Sequence, residues 1–372
     1  MGFVLSEDQE LIRRSARSFV QQHLPIAQFR KLRDSQDSIG FSREAWKDLA
    51  VNGLVGLALP EEYGGGGFGL AELGLVLEQC GRTLASTPFL STVLLSANAL
   101  VLAGSDAQKS EHLPAIASGE RVIAFAHDEG TRFSGTGKLR TSAIATPNGF
   151  RLVGAKTFVL DGNAAAHLLV SARLASGEPG LFLVPAQAAG VSITKLSAVD
   201  CRNVANVDFV NVDVPASALL PGSTDALARV IDGATAGLCA EMLGSTQEAF
   251  DVTVAYLKVR KQFGVPIGSF QALKHRAAQM FCELELSKSV VLDALRAVDA
   301  DRPDASAVVS AAKARVNDTF VLVASEAIQM HGGMGATDEL DVGFFYKRAR
   351  VAEMTLGSST YHRDRFARLS GY

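Results

Sequence analysis

Apolar positions recur at helical spacing near the start of the chain. After Ser6 and a run of acids, Leu11, Ile12, Ala16, Phe19 and Val20 form one stripe. A small hydroxyl followed by acids is an N-cap signal, so a helix is predicted from that point. LAELGLVLEQCGRTLA, residues 70–85, repeats the period. Between the two lies EEYGGGGFG, residues 61–69, after Pro60; it reads as a flexible loop.

The pattern then changes. RVIAFAH, GFRLVGAKTFVL, HLLVSAR, GLFLVPA, VSITKL and NVDFVNVDV are short, rich in Val, Phe and Ile, and punctuated by Gly, Asn and Pro. They predict a compact β region of roughly five to eight strands. From about residue 221 the helical period returns. Gly233, Gly237 and Gly244 in an Ala-rich stretch suggest close helix–helix approach, and Pro303 separates long helices. Residues 307–330 predict one helix that stops at His331-Gly332-Gly333. The expected organisation is a helical part over 1–118, a β part over 119–220 and a helical part over 221–372.

Composition narrows the function classes. With 372 residues, 48% hydrophobic and 20% charged, the chain is long enough for several packed layers and has an ordinary globular balance. A net charge of -3 argues against a general electrostatic grip on nucleic acid or anionic membrane. No apolar run reaches the roughly 18–20 residues of a membrane span, and the charged MGFVLSEDQELIRR start does not read as a secretory signal. Cys80, Cys201, Cys239 and Cys282 are widely spaced, with no CxxC and no nearby His pair. No metal site or disulfide framework is expected, and a reducing cytoplasm fits.

Three segments carry candidate chemistry. YGGGGFG lacks the strand–turn–helix setting of a dinucleotide fold and the Lys-Ser/Thr of a P-loop, so a plain loop is the simpler reading. RKQFGVPIGSFQ, residues 260–271, follows the helical AFDVTVAYLKV. Its Arg260 suits phosphate and its Phe263 suits a flat ring, although a helix end with a charge cluster looks the same. QMHGGMGATDEL, residues 329–340, places an amide and two glycines at a helix end, where backbone can approach a ligand or simply cap the helix.

Together with SEDQELIRRSARSFV, GLVGLALPEEYGGGGFG and ASGERVIAFA, these last two segments resemble the acyl-CoA dehydrogenase family over nearly the whole chain. The resemblance implies an α+β fold: an N-terminal helical domain, a middle β-barrel-like domain and a C-terminal four-helix bundle. It implies FAD as cofactor, an acyl-CoA substrate and electron-transfer flavoprotein as acceptor. It also implies a Glu that takes an α-proton while the β-hydride goes to the flavin. In the family the RxxFG and QxxGG segments close over the adenine and pyrophosphate part of a neighbouring subunit's FAD. Carried over, those positions are Arg260, Gln262, Phe263, Gln271, Gln329 and Gly333, all intact.

The flavin-ring segments depart from the family pattern. Where the family usually reads Leu-Thr-Glu-Pro, this chain reads HDEG, with Asp128 at the Thr, followed by TRFSG in place of a Gly-Ser-Asp turn. A Thr hydroxyl donates a hydrogen bond, whereas an ionised Asp only accepts. Where the family reads Lys-x-Trp-Ile-Thr/Ser, this chain reads Lys156-Thr157-Phe158-Val159-Leu160, which loses a second hydroxyl. The usual base position aligns with Leu356, and an alternative base position on an earlier helix aligns with Ala234. Neither is acidic. Glu353 lies three residues before Leu356, about 60° around a helix, and Glu241 lies seven after Ala234, about 10 Å along one. Both are substitute candidates or ordinary ion-pair partners.

An intact partner-facing half and a degraded own half imply a base-less subunit. It would complete the FAD site of a homologous acyl-CoA dehydrogenase subunit, as in the α2β2 steroid side-chain enzymes of actinobacteria. A bulky steroid side-chain CoA is the substrate this implies. The alternatives are a self-sufficient homotetramer using Glu353 or Glu241, and a non-catalytic scaffold.

Overall fold

The computed structural model describes residues 5–133, 135–137 and 139–372; Ser134, within the TRFSG segment, lies outside them. The order of elements is helices, strands, helices. Helices α1 (Glu7–His23), α2 (Ile26–Asp34), α3 (Arg43–Val51), α4 (Leu70–Arg82), α5 (Asn98–Ala103) and α6 (Asp106–Ala117) come first. Strands β1 (Ile123–Ala126), β2 (Ser142–Thr146), β3 (Gly149–Leu160), β4 (His167–Arg173), β5 (Pro179–Pro185), β6 (Val191–Ser197) and β7 (Asn203–Pro215) follow. Then come α7 (Ser223–Val259), the short strands β8 (Lys261–Gln262) and β9 (Val265–Pro266), and α8 (Gln271–Asp299), α9 (Ala305–His331), α10 (Val342–Met354) and α11 (Ser359–Leu369).

These elements fall into two compact units: one of Met1–Phe29, Leu70–Ala85 and Thr235–Tyr372, the other of Arg30–Gly69 and Ser86–Ala234. In the first, helical, unit, α1 starts as the sequence predicts. Ser6 accepts from the Gln9 amide while the Gln9 side chain accepts from the Ser6 amide, a reciprocal capping box. Helices α8, α10 and α11 pack on α9, and α4 packs on α8. Close approach of α4 and α7 depends on glycine. A Cβ on Gly244 would run into the Glu78 carbonyl, and one on Gly81 into the Glu241 carbonyl. The suggestion of tight packing at Gly244 thus has a reciprocal partner on α4.

The second unit is built on a seven-stranded sheet of order β1-β4-β2-β3-β7-β6, with β5 also pairing β4. Most pairs are antiparallel; β1 runs parallel to β4. Leu152, Val159, Leu168, Val170, Phe182, Val184, Val207, Phe209 and Val212 form its core. The alternating burial of β7 reflects one packed and one open face, whereas β4 is buried along nearly its whole length. Between Lys156 and Val159, β3 carries one more residue than β7 opposite, so the strand bulges. Phe158 sits on that bulge at φ 52° and is 56% exposed.

One detail departs from the sequence reading, and a second adds to it. The glycine run after Pro60 is a tightly bonded turn: the amides of Gly65, Gly66, Gly67 and Phe68 donate to the carbonyls of Pro60, Gly56, Leu59 and Leu57. Gly65 leaves no room for a Cβ against the Leu59 carbonyl. Those amides are spent inside the chain, which removes the phosphate-cradle reading together with the flexible one. The apolar run Phe89–Ala97 is a wholly buried π-helical stretch leading into α5. Its Thr92 and Ser96 hydroxyls donate to the Ile123 carbonyl at the start of β1.

Gly244→Ala forces α4 and α7 apart, and overpacking of this kind costs about 1–3 kcal/mol or more. The expected result is a lower urea midpoint with an unchanged slope.

Candidate functional site

The segments His127–Gly130 and Lys156–Leu160 lie side by side in the sheet unit. The Thr157 amide donates to the Asp128 carbonyl at 2.8 Å, and the Thr157 hydroxyl donates to the Gly130 carbonyl at 2.9 Å. What holds them is Lys156, whose side chain is fully buried. Its ammonium donates to the His127 carbonyl at 2.9 Å, to Glu129 Oε1 at 2.7 Å and to Ser171 Oγ at 3.1 Å. An ammonium has three protons, so its capacity is filled. Burial lowers its pKa to about 8, against the pull of Glu129. For Glu129 burial acts upward, but hydrogen bonds from Lys156, Thr141 and Arg140 hold its pKa down at about 2. His127 is pinned between Ser171 Oγ at 2.9 Å and the Gly135 carbonyl at 2.7 Å, and burial lowers its pKa to about 4.

Asp128 stands apart in this cluster. Its Oδ1 is buried without a hydrogen-bond partner among the described residues. Burial raises its pKa to about 6, with Lys156 pulling down and Glu129 pushing up. The aligned Leu160 offers no donor either. A flavin ring edge presents mainly acceptors, so the donor set of these two strands does not fit it.

Both usual base positions are apolar and buried: Ala234 is fully covered within α7 and Leu356 is 8% exposed. Leu356 lies beyond the end of α10 at φ 56°, followed by Gly357 at φ 113°. The helical 60° relation between Glu353 and this position therefore does not hold, because the helix has ended. Glu353 instead pairs with Arg350 at 2.9 Å. Glu241 pairs with the buried Arg348 at 3.3 Å.

The turn bearing Leu356 is held from below by groups that sequence reading missed. Lys313, fully buried, donates to Asn317 Oδ1 at 2.6 Å and to the carbonyls of Ala352 and Gly357 at 2.9 and 3.2 Å. Asn317 donates to the Glu353 and Gly357 carbonyls, and His362 Nε2 donates to the Leu356 carbonyl at 2.9 Å. A Cβ at Gly357 would collide with His362. The available signal was a Lys and an Asn four apart, and so on one face of the helix.

The helical unit carries the second set of groups. Strands β8 and β9 form a hairpin whose two turn residues, Phe263 (φ 53°) and Gly264 (φ 83°), are both left-handed, as a two-residue type I′ connection requires. Phe263 is 91% exposed at the tip. Gln271 opens α8, Gln329 lies near the end of α9, and Gly333 lies in the 3-10 turn after it with open space around its Cα. Arg260, Gln262, Gln271 and Gln329 are exposed, and no side-chain bond within the chain engages them among the described residues. A guanidinium, three amides, an aromatic ring and a bare backbone fit the diphosphate and adenine end of a dinucleotide.

Among the described residues no group of His, Cys, Asp and Glu is arranged to hold a metal, and no helix is long and apolar enough to cross a membrane. Comparison with known proteins matches residues 6–120 to the acyl-CoA dehydrogenase N-terminal domain and residues 223–370 to the C-terminal domain. The chain is 30% identical to the probable acyl-CoA dehydrogenase YngJ of Bacillus subtilis, over 99% of both chains. It superposes on a chain of the ChsE4-ChsE5 complex from Mycobacterium tuberculosis with a TM-score of 0.92, at 29% identity and covering 100% of both. A chain of the Tcur3481-Tcur3483 steroid ACAD gives a TM-score of 0.89, at 31% identity and 98% coverage of each. FAD is the cofactor of this family.

Asp128 also has a consequence for stability. A carboxyl whose folded pKa is raised stabilises the fold below its unfolded value, and that contribution is lost as pH rises through the folded value. For Asp128 the loss runs from about pH 4 to beyond pH 6. Asp128→Asn removes the buried charge. It is expected to be about 3 kcal/mol more stable than the parent at about pH 8, the gap narrowing to roughly half by pH 5, as denaturant titration at the two pH values will measure.

Proposed function

The chain belongs to the acyl-CoA dehydrogenase family, and from that premise we infer that it is the base-less subunit of a heteromeric, FAD-dependent acyl-CoA dehydrogenase. The observation that carries this reading is the division between its two sets of groups. Arg260, Gln262, Gln271 and Gln329 are exposed with no side-chain partner among the described residues, Gly333 is exposed, and Phe263 is exposed with its ring edge-on to Phe270. Leu356 and Ala234 are buried and apolar, and Asp128 and Leu160 replace hydroxyl donors. Loss of function along the whole chain would not spare one set so consistently.

In this reading α,β-desaturation of an acyl-CoA thioester takes place on a homologous partner subunit, in an α2β2 assembly. That partner supplies the Glu base and the flavin strands; FAD, when bound, supplies the hydride acceptor. Arg260 pairs with the diphosphate, the three glutamines donate to it and to the adenine edge, and Phe263 covers a flat face. Electron-transfer flavoprotein is the proposed acceptor, and the reducing cytoplasm, consistent with four widely spaced cysteines, the proposed location. The likeness to chains of the ChsE4-ChsE5 complex and of a steroid ACAD supports an unlike partner and a bulky, ring-bearing acyl group. A subunit without a base leaves its own acyl cavity free to accommodate such a group. The division into 1–118, 119–220 and 221–372 is retained as a working proposal for domain swaps.

Arg260→Ala in the co-expressed complex removes a charge-assisted contact of about 1.5–3 kcal/mol, so FAD affinity is expected to fall roughly 10- to 100-fold. Unchanged FAD content would contradict the reading and favour a scaffold. Glu353→Gln is expected to leave turnover of the complex within about twofold of the parent. Its abolition with flavin retained would instead identify Glu353 as a base.

A further inference from the structure

We propose that the helical unit carries a second binding site, for an amphipathic organic acid. A cavity among α1, α4, α7 and α8 takes the carboxylate at a pair of arginines, the apolar body along its inner wall, and a distal hydroxyl or carbonyl oxygen at a buried amide. None of the groups assigned above to FAD lines this cavity, and neither does Leu356 or Ala234, so the inference stands apart from the partner-subunit reading.

The cavity measures about 700 Å³, within the roughly 300–1,000 Å³ of small-molecule sites. Its inner wall is apolar: Leu243 on α7 and Val291 and Leu295 on α8 are buried, and Leu75 on α4 adds to them. Two polar side chains of α4 also line it. Glu78 and Gln79 lie three and four residues after Leu75, and so on its face of the helix. Gln79 is only 5% exposed, yet its amide makes no hydrogen bond among the described residues. An unmet buried polar group costs about 1–3 kcal/mol, so an occupant that offers this amide a partner is favoured. Glu78 has no hydrogen bond or ion pair among the described residues either. Burial raises its pKa, against the pull of Arg82, Lys288 and Arg13. In its protonated form the carboxyl donates to a ligand oxygen.

The side bounded by α1 is cationic and exposed. Most of the cations lining the cavity are already held by acids: Arg13 by Glu10 at 2.7 Å, Arg82 by Glu248 and Asp251 at 2.7 Å, and Lys288 by Glu285 at 2.5 Å. Arg14 and Arg17 are not. Arg14 donates only from Nε, to the Glu10 carbonyl at 3.4 Å, and Arg17 makes no hydrogen bond or ion pair among the described residues. Three apart on α1, the two share a face, and their planar guanidiniums suit a carboxylate. A bare inorganic anion would leave the apolar wall uncovered, and a hydrocarbon would leave Gln79 and the arginines unmet. A molecule with an apolar middle and two unlike polar ends satisfies all three.

The test is isothermal titration calorimetry of the full-length chain with ω-hydroxydecanoate, decanoate and decanediol. ω-Hydroxydecanoate is expected to bind saturably. Decanoate lacks the distal hydroxyl and decanediol lacks the charge, and each is expected to bind at least about tenfold more weakly. Replacing both exposed arginines, Arg14→Gln with Arg17→Gln, is expected to weaken the hydroxy acid at least about tenfold and to leave decanediol unchanged. Gln79→Leu, its fold checked by circular dichroism, is expected to bring the hydroxy acid down towards decanoate. Absence of saturable binding by ω-hydroxydecanoate overturns the site, as does binding that the double arginine variant leaves unchanged. Equal binding of the three probes overturns the ligand class and the proposal with it.

Discussion

The buried ammonium of Lys156 is the constraint on which the sheet unit's chemistry depends. It ties the exit of β1 to β3 and to β4 through the His127 carbonyl, Glu129 and Ser171. A buried charge is costly unless its hydrogen-bonding capacity is met, and here three acceptors meet it, one of them a carboxylate. That closure has a direct consequence. The lysine that aligns the two segments has no proton left for Asp128, whose Oδ1 is buried without a hydrogen-bond partner among the described residues.

The helical unit repeats this relation in another form. The turn that carries Leu356 is held by Lys313, Asn317 and His362, in a left-handed geometry at Leu356 and Gly357. Hydrogen bonds to backbone carbonyls keep this turn in shape whatever residue 356 is. Meanwhile the Arg260 hairpin and the ends of α8 and α9 present Arg260, Gln262, Gln271 and Gln329 with no side-chain partner among the described residues. Exposed donors of this kind are the expected counterpart of a ligand held elsewhere.

Much of the architecture was legible because its signals are local. The Ser6–Gln9 capping box, the 3.6-residue stripe of α1 and the alternation of β7 each follow from nearby residues. The candidate groups were legible too, but through the family likeness of two segments, since a charged helix end and a glycine cap look alike on pattern alone. What escaped was set by distant contacts. The four-glycine run reads as flexible, yet Gly65 exists because the Leu59 carbonyl lies where a Cβ would go. Phe89–Ala97 has no period because every face of that stretch is buried. The helical estimate for Glu353 failed because α10 stops at Met354. That Asp128 is unpaired could be learned only by finding where the protons of Lys156 point.

In the proposed assembly one FAD serves a pair of unlike chains, with this chain closing the site and its partner holding the ring. The most direct measurement is the ratio of flavin to protein absorbance at neutral pH, for the chain alone and for its complex with a homologous subunit. The account predicts almost no flavin on the isolated chain and one FAD per heterodimer in the complex. One FAD on every chain purified alone, with turnover, would contradict it.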